Sequence, residues 1–220
     1  MSPPVADLGL RKFAWWLDWR DRAVAVIASG PSVRKEEVQS LRDRLPVLAI
    51  KENYDLAPWA DAVYGCDASW WRNKLGLPKY EGLKVSASQD LRYQFKDIKF
   101  VELEKYDDLI RLEVPGVIGA GGNSGFQAVN LAAQFGATRI LLLGFDMDHR
   151  VRHPHWYGRN QGPGRTNPDH HNYDRWRRAF AQSSCTFRDA GIEVVNGSSV
   201  SMLRCFPQRG VKETLEEWQL

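Results

Sequence analysis

The sequence predicts an α/β fold: a single domain built on a Rossmann-like, doubly wound and mostly parallel sheet. Short apolar runs alternate along the chain with segments of helical periodicity, which is the pattern of successive βα units. Polar residues and glycines follow nearly every apolar run, and ligands of such sheets bind beyond the carboxyl ends of the strands. With 220 residues, 43% of them apolar, the chain is long enough to bury one such core.

The segment before the first strand, residues 1–22, is predicted to carry a short aromatic helix. Phe13, Trp16 and Trp19 are spaced at i, i+3 and i+6, with Trp15 beside them. We interpret these aromatics as packing against the domain. A platform for nucleic-acid bases would interleave exposed aromatics with more lysine and arginine.

The Rossmann-like domain is predicted over residues 23–206, and its first strand ends in the turn Ser29-Gly30-Pro31-Ser32. Ser32 is predicted to cap the helix that follows. A turn of such small residues lets a ligand reach the backbone, where free N–H groups favour a phosphate. The turn has only one glycine and no following GKS or GKT, so it is neither a GxGxxG fingerprint nor a P-loop.

The next strands also end in polar residues. Lys51, Glu52 and Asn53 follow the strand PVLAI, and Asp67 follows the third strand. Residues 68–115 suggest further short strands with irregular connections.

A glycine-rich turn then begins at Gly119 and leads into a small-residue helix from about Ser124 to Phe135. The most apolar strand of the chain comes next and ends in Gly144-Phe145-Asp146. The chain closes with a helix, a strand and a segment at residues 207–220 that is predicted to be a final helix or tail.

Residues 149–169 lack periodicity and are rich in glycine, proline, histidine and arginine, so we predict a long functional loop there. All five histidines lie in or next to it. Zinc sites usually show regular ligand spacing, which is missing here, and we predict no metal ligand. A general base is the favoured role for a histidine of this loop. Four arginines are candidate anion-binding residues, namely Arg150, Arg152, Arg159 and Arg165.

Taken together, the strand-end motifs resemble a known set of proteins. The motifs are ASGPSV at residues 28–33, Asn53, Asp67, and GGNSGFQAVNLAAQFGATRILLLGFDM at residues 121–147. This set resembles phage and bacterial proteins of the MptE-like (6-hydroxymethylpterin diphosphokinase-like) and motility accessory factor groups. It is distantly similar to bacterial lipooligosaccharide sialyltransferases, which use a CMP-activated sugar on one Rossmann-like domain. The resemblance covers about residues 24–67 and 119–206.

The sialyltransferase resemblance implies roles for particular residues. Gly30, Pro31 and Ser32 would lie on the nucleotide phosphates, with Ser29 beside them, and Asn53 would help to hold the donor. The family's threonine-serine-glycine matches Asn123, Ser124 and Gly125 as nucleotide contacts, and its glycine-isoleucine-aspartate matches Gly144, Phe145 and Asp146. One loop histidine acts as the base in that pattern; His155 is the first candidate and His171 the second.

Two positions depart from the family pattern. Asp67 stands in place of a second active-site asparagine, and Gly121 and Gly122 stand where an arginine is expected. Both departures leave the sugar and its carboxylate open. We place Asp67 among the catalytic candidates, as a group that holds hydroxyls.

The predicted function is a nucleotide-dependent transferase, with a glycosyltransferase that uses a CMP-sugar-like donor as the first hypothesis. Its partners would be that donor and a hydroxyl-bearing acceptor: a glycan, a modified DNA base or a small molecule. The alternative is a pyrophosphokinase acting on a hydroxymethyl group, which would need Mg²⁺ carried by Asp67, Asp146 and Asp148. A second alternative is a non-catalytic nucleic-acid-binding protein that uses the arginine-rich loop and the tryptophans.

The remaining sequence features concern environment and assembly. No apolar run approaches the roughly 20 residues that span a bilayer, and no export signal is recognised, so the predicted location is the cytoplasm, or the host cytoplasm if the gene is carried by a phage. Cys66, Cys185 and Cys205 are widely spaced and are expected to be reduced thiols. A homo-oligomer is compatible with the sequence.

Overall fold

A computed structural model describes residues 13–161 and 166–220, and within them nine strands form two sheets. In chain order the strands are β1 (Ala23–Ile27), β2 (Val47–Ile50), β3 (Ala62–Tyr64), β4 (Leu83–Ser86), β5 (Lys99–Phe100), β6 (Glu102–Glu104), β7 (Val117–Gly119), β8 (Arg139–Leu143) and β9 (Glu193–Asn196). Seven of them form one sheet in the order β5-β4-β3-β2-β1-β8-β9, while β6 pairs with β7. All the pairings are parallel, which confirms the predicted Rossmann-like α/β fold.

In the described part of the chain, five α-helices connect and cover the strands. They are α1 (Lys35–Gln39), α2 (Ala68–Asn73), α3 (Ser124–Gln134), α4 (His170–Asp189) and α5 (Val211–Glu217), and short 3-10 turns occupy Lys51–Asp55 and Gln89–Leu91. The 20-residue α4 begins with a capping box, in which the Asp169 carboxylate accepts the Asn172 N–H and the Asn172 side chain accepts the Asp169 N–H. Among the described residues, no helix has the length and apolarity that a membrane crossing requires.

The sheet reverses its direction of growth between β1 and β8. The chain adds β2, β3, β4 and β5 successively on one side of β1 and then returns to place β8 on the other side. Ile27 at the end of β1 lies beside Leu143 at the end of β8. The turns that follow these two strands therefore meet at a topological switch point, where open α/β sheets bind their ligands.

Alternate residues of the central strands face two apolar layers. Val24 and Val26 of β1 face the layer that contains Phe126 of α3. Ala25 and Ile27 face the opposite layer, which also holds residues of α1 and α5. Because both faces are covered, β1 is fully apolar rather than alternating. The predicted C-terminal helix is therefore present as α5 and packs against the sheet.

The aromatic segment before β1 is not a helix in its described part, residues 13–22, which consists of turns and extended chain. Trp19 is buried, and its N–H donates to the Phe135 carbonyl at 2.8 Å rather than to a carbonyl one turn earlier in its own segment. Trp16 donates its indole N–H to the Gln134 carbonyl at 3.2 Å. The helical spacing of these aromatics therefore reflects docking on the end of α3.

The prediction for Ser32 is also wrong, because α1 begins only at Lys35. The N-cap position is Arg34, and its side chain makes no capping bond. Ser32 instead donates its N–H to the Asp146 carboxylate at 2.7 Å. The predicted long loop is confirmed. From residue 149 to the start of α4, the described residues form only turns and irregular chain with one isolated bridge, His155 with Gly158.

A stripe of buried amide side chains on α3 holds residues 111–119, which carry β7. The Asn130 carbonyl oxygen accepts the N–H groups of Arg111 and Gly119, each at 3.0 Å, and its amide donates to the Arg111 carbonyl. Gln134 accepts the Gly116 N–H at 2.9 Å and donates to nearby carbonyls. These two side chains tie the segment to α3, in addition to the pairing of β7 with β6.

We expect Asn130→Ala to lower the free energy of unfolding by about 2 to 4 kcal/mol, because two N–H groups would lose their acceptor in a buried environment. Chemical denaturation would measure the change. Gln182→Ala, at an exposed position of α4, is the control and should change stability by less than about 0.5 kcal/mol. Equal stability of the two variants would contradict a structural role for the stripe.

Candidate functional site

A cavity of about 390 Å³ opens at the carboxyl edge of the sheet, above β1, β2, β3 and β8. The long loop and the first turns of α3 and α4 complete its walls. Predicted site residues that line it are Ser29, Gly30, Pro31, Asp67, Asn123, Ser124, Gly125, Asp146 and His155. The fold thus brings together most of the strand-end residues that the sequence singled out.

In the turn after β1, the N–H groups of residues 30, 32 and 33 are already hydrogen-bonded within the protein. Gly30 donates to the Gly144 carbonyl at 2.9 Å, Pro31 has no N–H, and Val33 donates to the Gly30 carbonyl. Both the N–H and the hydroxyl of Ser32 donate to the carboxylate of Asp146. An internal carboxylate therefore occupies the donors on which the phosphate prediction depended.

Asp146 closes this turn from the end of β8 and is almost fully buried. Burial raises the pKa of its carboxyl group, while the two hydrogen bonds from Ser32 oppose that rise and the nearby Asp148 adds to it. The side chain bridges the turns after β1 and β8. Its observed contacts are structural, with one edge of the residue facing the cavity.

Asn53, predicted to hold the donor, does not line the cavity and is completely buried. Its amide donates to the Ile50 carbonyl at 2.6 Å, and its carbonyl oxygen accepts the indole N–H of Trp156 at 2.9 Å. The backbone N–H of Trp156 donates to the Ser29 carbonyl at 2.9 Å. Asn53 therefore anchors the long loop next to His155.

The N-terminus of α3 faces the same cavity. The Asn123 side chain caps the helix by accepting the Phe126 N–H at 2.9 Å. The N–H groups of Ser124 and Gly125, in the first turn, have no acceptor among the described residues, and both residues line the cavity. A β-carbon on Gly125 would lie 2.7 Å from Oδ1 of the Asn123 side chain, so this close approach requires glycine.

His155 is the histidine that enters the cavity. Its Nδ1 lies 2.8 Å from the Ser29 hydroxyl, and its Nε2 lies 3.2 Å from the amide nitrogen of Asn160. That nitrogen also donates to the Thr166 carbonyl, which can only accept, so the orientation of the Asn160 amide follows from the network. The resulting assignment makes Nε2 an acceptor and Nδ1 the donor to Ser29. The ring also stacks on Tyr157, with 4.9 Å between ring centres.

The environment keeps the His155 imidazole neutral. Burial lowers its pKa to about 4, and the positive charge of Lys51 contributes in the same direction. A neutral ring has the lone pair that a general base needs. The low pKa makes it a weak base as long as no anion is bound beside it.

The other loop candidates lie elsewhere. His171 is exposed at the start of α4, against His170. Arg150 makes two hydrogen bonds to the Asp148 carboxylate, which hold the pKa of that carboxyl at about 2. Arg152 and Arg159 are both exposed and line no part of the main cavity; Arg159 borders a second, more open cavity of about 360 Å³. Arg165 lies outside the described residues.

Lys51 was not among the predicted site residues, yet it lines the cavity and pairs with Asp67. Its backbone has φ of 50°, a left-handed conformation that a residue other than glycine seldom adopts. The sequence signal that could have identified Lys51 is its position directly after β2, at the ligand edge of the sheet. No sequence signal marks Tyr157, Asn160, Tyr173 or Trp176, because their place in the cavity depends on how the loop and α4 fold back.

The described residues hold no group of three or more histidine, cysteine, aspartate or glutamate side chains arranged to bind a metal ion. Cys66 lines the cavity, but burial raises the pKa of its thiol to about 11, which leaves it protonated and unreactive near neutral pH. All three cysteines are free thiols, as predicted.

The structure is similar to the solved structure of the sialyltransferase CstII from Campylobacter jejuni in complex with a substrate analogue, cytidine-5'-monophosphate. The TM-score is 0.55 at 13% sequence identity, and the match covers 86% of this chain and 85% of that chain. At this identity the likeness establishes a shared fold, the parallel α/β fold. No protein-family model and no curated protein sequence matches the chain, so the resemblance to the MptE-like group stays a prediction.

Proposed function

We propose that this protein is a nucleotide-dependent transferase that takes a sugar from a CMP-activated donor. The observation that carries the proposal is the cavity at the switch point of β1 and β8, with a neutral histidine held inside it, in a fold shared with a sialyltransferase whose solved structure contains cytidine-5'-monophosphate. Donors of this kind bind at the carboxyl edge of doubly wound sheets.

In this proposal the donor phosphate lies against the first turn of α3. The unpaired N–H groups of Ser124 and Gly125, together with the helix dipole, favour an anion there, and Asn123 keeps the turn in place. Asp67 accepts hydrogen bonds from sugar or ribose hydroxyls. Gly30 and Asp146 act indirectly, by holding the floor of the cavity.

The transfer step uses His155 as the general base. The acceptor hydroxyl replaces the Asn160 amide at Nε2 and gives its proton to that nitrogen, while the hydroxyl oxygen forms a bond to the sugar carbon. The bond from that carbon to the phosphate oxygen breaks, and CMP leaves with the electron pair. The acceptor is a hydroxyl-bearing glycan, modified base or small molecule.

A second candidate, a Mg²⁺-dependent diphosphokinase, is favoured by the acidity of the cavity, which is lined by Glu52, Asp67, Asp146 and Asp148. Carboxylates of this kind carry Mg²⁺ beside nucleotide phosphates. Their present contacts do not fit a metal site, since Asp67 pairs with Lys51, Asp146 with Ser32 and Asp148 with Arg150. We therefore rank this candidate second.

Thermal stability measured with CMP, UDP, GDP, ADP and ATP, with and without Mg²⁺, tests the proposal. A nucleotide that binds only the folded state adds about 2.7 kcal/mol of stability at a concentration of 100 Kd. We expect CMP to raise the melting temperature and EDTA to leave that shift unchanged. A response to ATP alone that requires Mg²⁺ would favour the diphosphokinase, and no response to any nucleotide would contradict both.

A further inference from the structure

The charges around the main cavity are unequal. Four carboxylates line it. Among the residues that the structure describes, Lys51 is the only lysine or arginine that lines it. The arginines that the sequence suggested as anion ligands are paired, exposed or outside the described residues. Lys51 is therefore the side chain that can offer a full positive charge to an anion in this cavity.

Lys51 and Ser29 follow neighbouring strands. The parallel strands β1 and β2 pair with Ile27 set against Ala49, and Ser29 and Lys51 come within two residues of the ends of these strands, where both line the cavity. The electrostatics agree, because the Lys51 charge acts on His155, which is hydrogen-bonded to Ser29. The two side chains thus occupy adjacent strand ends in one wall of the cavity.

The Ser29 hydroxyl has a proton to donate. Since Nδ1 of His155 carries the hydrogen, the Ser29 oxygen accepts that hydrogen bond. Its own O–H is left to point at a ligand. An ammonium group and a hydroxyl that is set up as a donor make a suitable pair for an oxyanion.

We propose that Lys51 and Ser29 complete the anion subsite of this protein in the same cavity as the first turn of α3, that they bind a phosphate oxygen of the ligand, and that Asp67 competes with the ligand for Lys51. That the ligand is a nucleotide rests on the proposed function. That the ligand is an anion follows from the subsite itself. This subsite replaces residues 30–32 of the turn after β1 as the phosphate contact. Asp67 keeps Lys51 paired in the free protein and releases it when the anion binds.

Isothermal titration calorimetry with CMP and with inorganic pyrophosphate tests the subsite. We expect Lys51→Met to weaken both ligands about 10- to 100-fold and Ser29→Ala about 3- to 10-fold, in line with lost charge-assisted hydrogen bonds. Lys51→Arg should retain most of the affinity. Asp67→Asn should tighten pyrophosphate about 3- to 10-fold, because it removes the competing carboxylate.

Lys35→Met is the matched control, since it removes the same charge from an exposed position of α1. We expect its affinities to equal those of the unmodified protein. A second readout does not depend on affinity: Lys51→Met should raise the pKa of His155, followed by NMR, because the positive charge that lowers it is gone.

The outcomes separate this inference from the proposed function. CMP binding that is equal in Lys51→Met and in the unmodified protein would overturn the subsite and leave the transferase proposal standing. Pyrophosphate binding that depends on Lys51, without binding of any nucleotide, would support the subsite and contradict the transferase. If neither ligand binds, both are overturned.

Discussion

Gly30→Ala is expected to lower the free energy of unfolding by on the order of 3 kcal/mol, because the added methyl group has no space. A β-carbon at Gly30 would lie 2.4 Å from the Gly144 carbonyl oxygen and 2.7 Å from the carboxyl carbon of Asp146. The carbonyl cannot retreat without breaking its hydrogen bond from the Gly30 N–H. Gly144 is itself confined, with φ of 72° and a β-carbon position 2.3 Å from the Ala28 carbonyl.

Urea denaturation of Gly30→Ala measures this effect, with Gly210→Ser as the control. Gly210 has no atom within 4 Å of its β-carbon position and occupies the N-cap of α5, where serine is favourable. The control should therefore keep or slightly exceed the original stability. A Gly30→Ala protein of unchanged stability would show that the turns after β1 and β8 do not lock each other.

The second large effect concerns turnover. His155→Gln should reduce the rate of CMP release from a CMP-activated sugar by about 100- to 10,000-fold, the range attributed to a lost general base. Glutamine can keep a hydrogen bond to Ser29 but cannot take up a proton at neutral pH. We expect the Kd for CMP to stay within about threefold of its original value, since the base acts on the acceptor.

The pH profile adds a test with a defined sign. With the pKa of His155 at about 4 in the free protein, kcat/KM should stay level as the pH falls and decline only near pH 4. A bound anionic donor favours the protonated ring, so the acidic limb of kcat should lie at higher pH than that of kcat/KM. His153→Gln, at an exposed position of the same loop, is the control and should behave like the unmodified protein. Full turnover in His155→Gln would contradict the assigned base.

The hydrogen bonds that anchor the long loop also fix the position of His155. Trp156 is hydrogen-bonded through its side chain to Asn53 and through its backbone to Ser29, so the residue after His155 is tied to the ends of β1 and β2. A change at Asn53 would move the base without touching the donor. The sialyltransferase resemblance assigned Asn53 to the donor from its place after the second strand, whereas the 3-10 turn at Lys51–Asp55 rotates it inward.

The fold and the place of the cavity follow from local signals in the sequence. Apolar runs of four or five residues, helical periodicity and small residues at strand ends are local properties, and they are enough to predict a parallel sheet with its ligand edge. The group of loop histidines could be recognised in the same way, because titratable rings near that edge are a chemical signal that needs no coordinates. The choice of His155 among them came from the resemblance to the sialyltransferases. The presence of β1, β2, β8 and α3 was predictable for this reason.

The tertiary structure alone decided which polar groups are available to a ligand. Hydrogen bonds between residues more than 100 positions apart, such as Ser32 with Asp146 and Asn53 with Trp156, use up donors that the sequence assigned to a nucleotide. The same long-range packing leaves Lys51 in the cavity wall. Whether a polar group can bind a ligand depends on which hydrogen-bond partner packs against it when distant segments come together. A periodic sequence pattern carries no information about that partner.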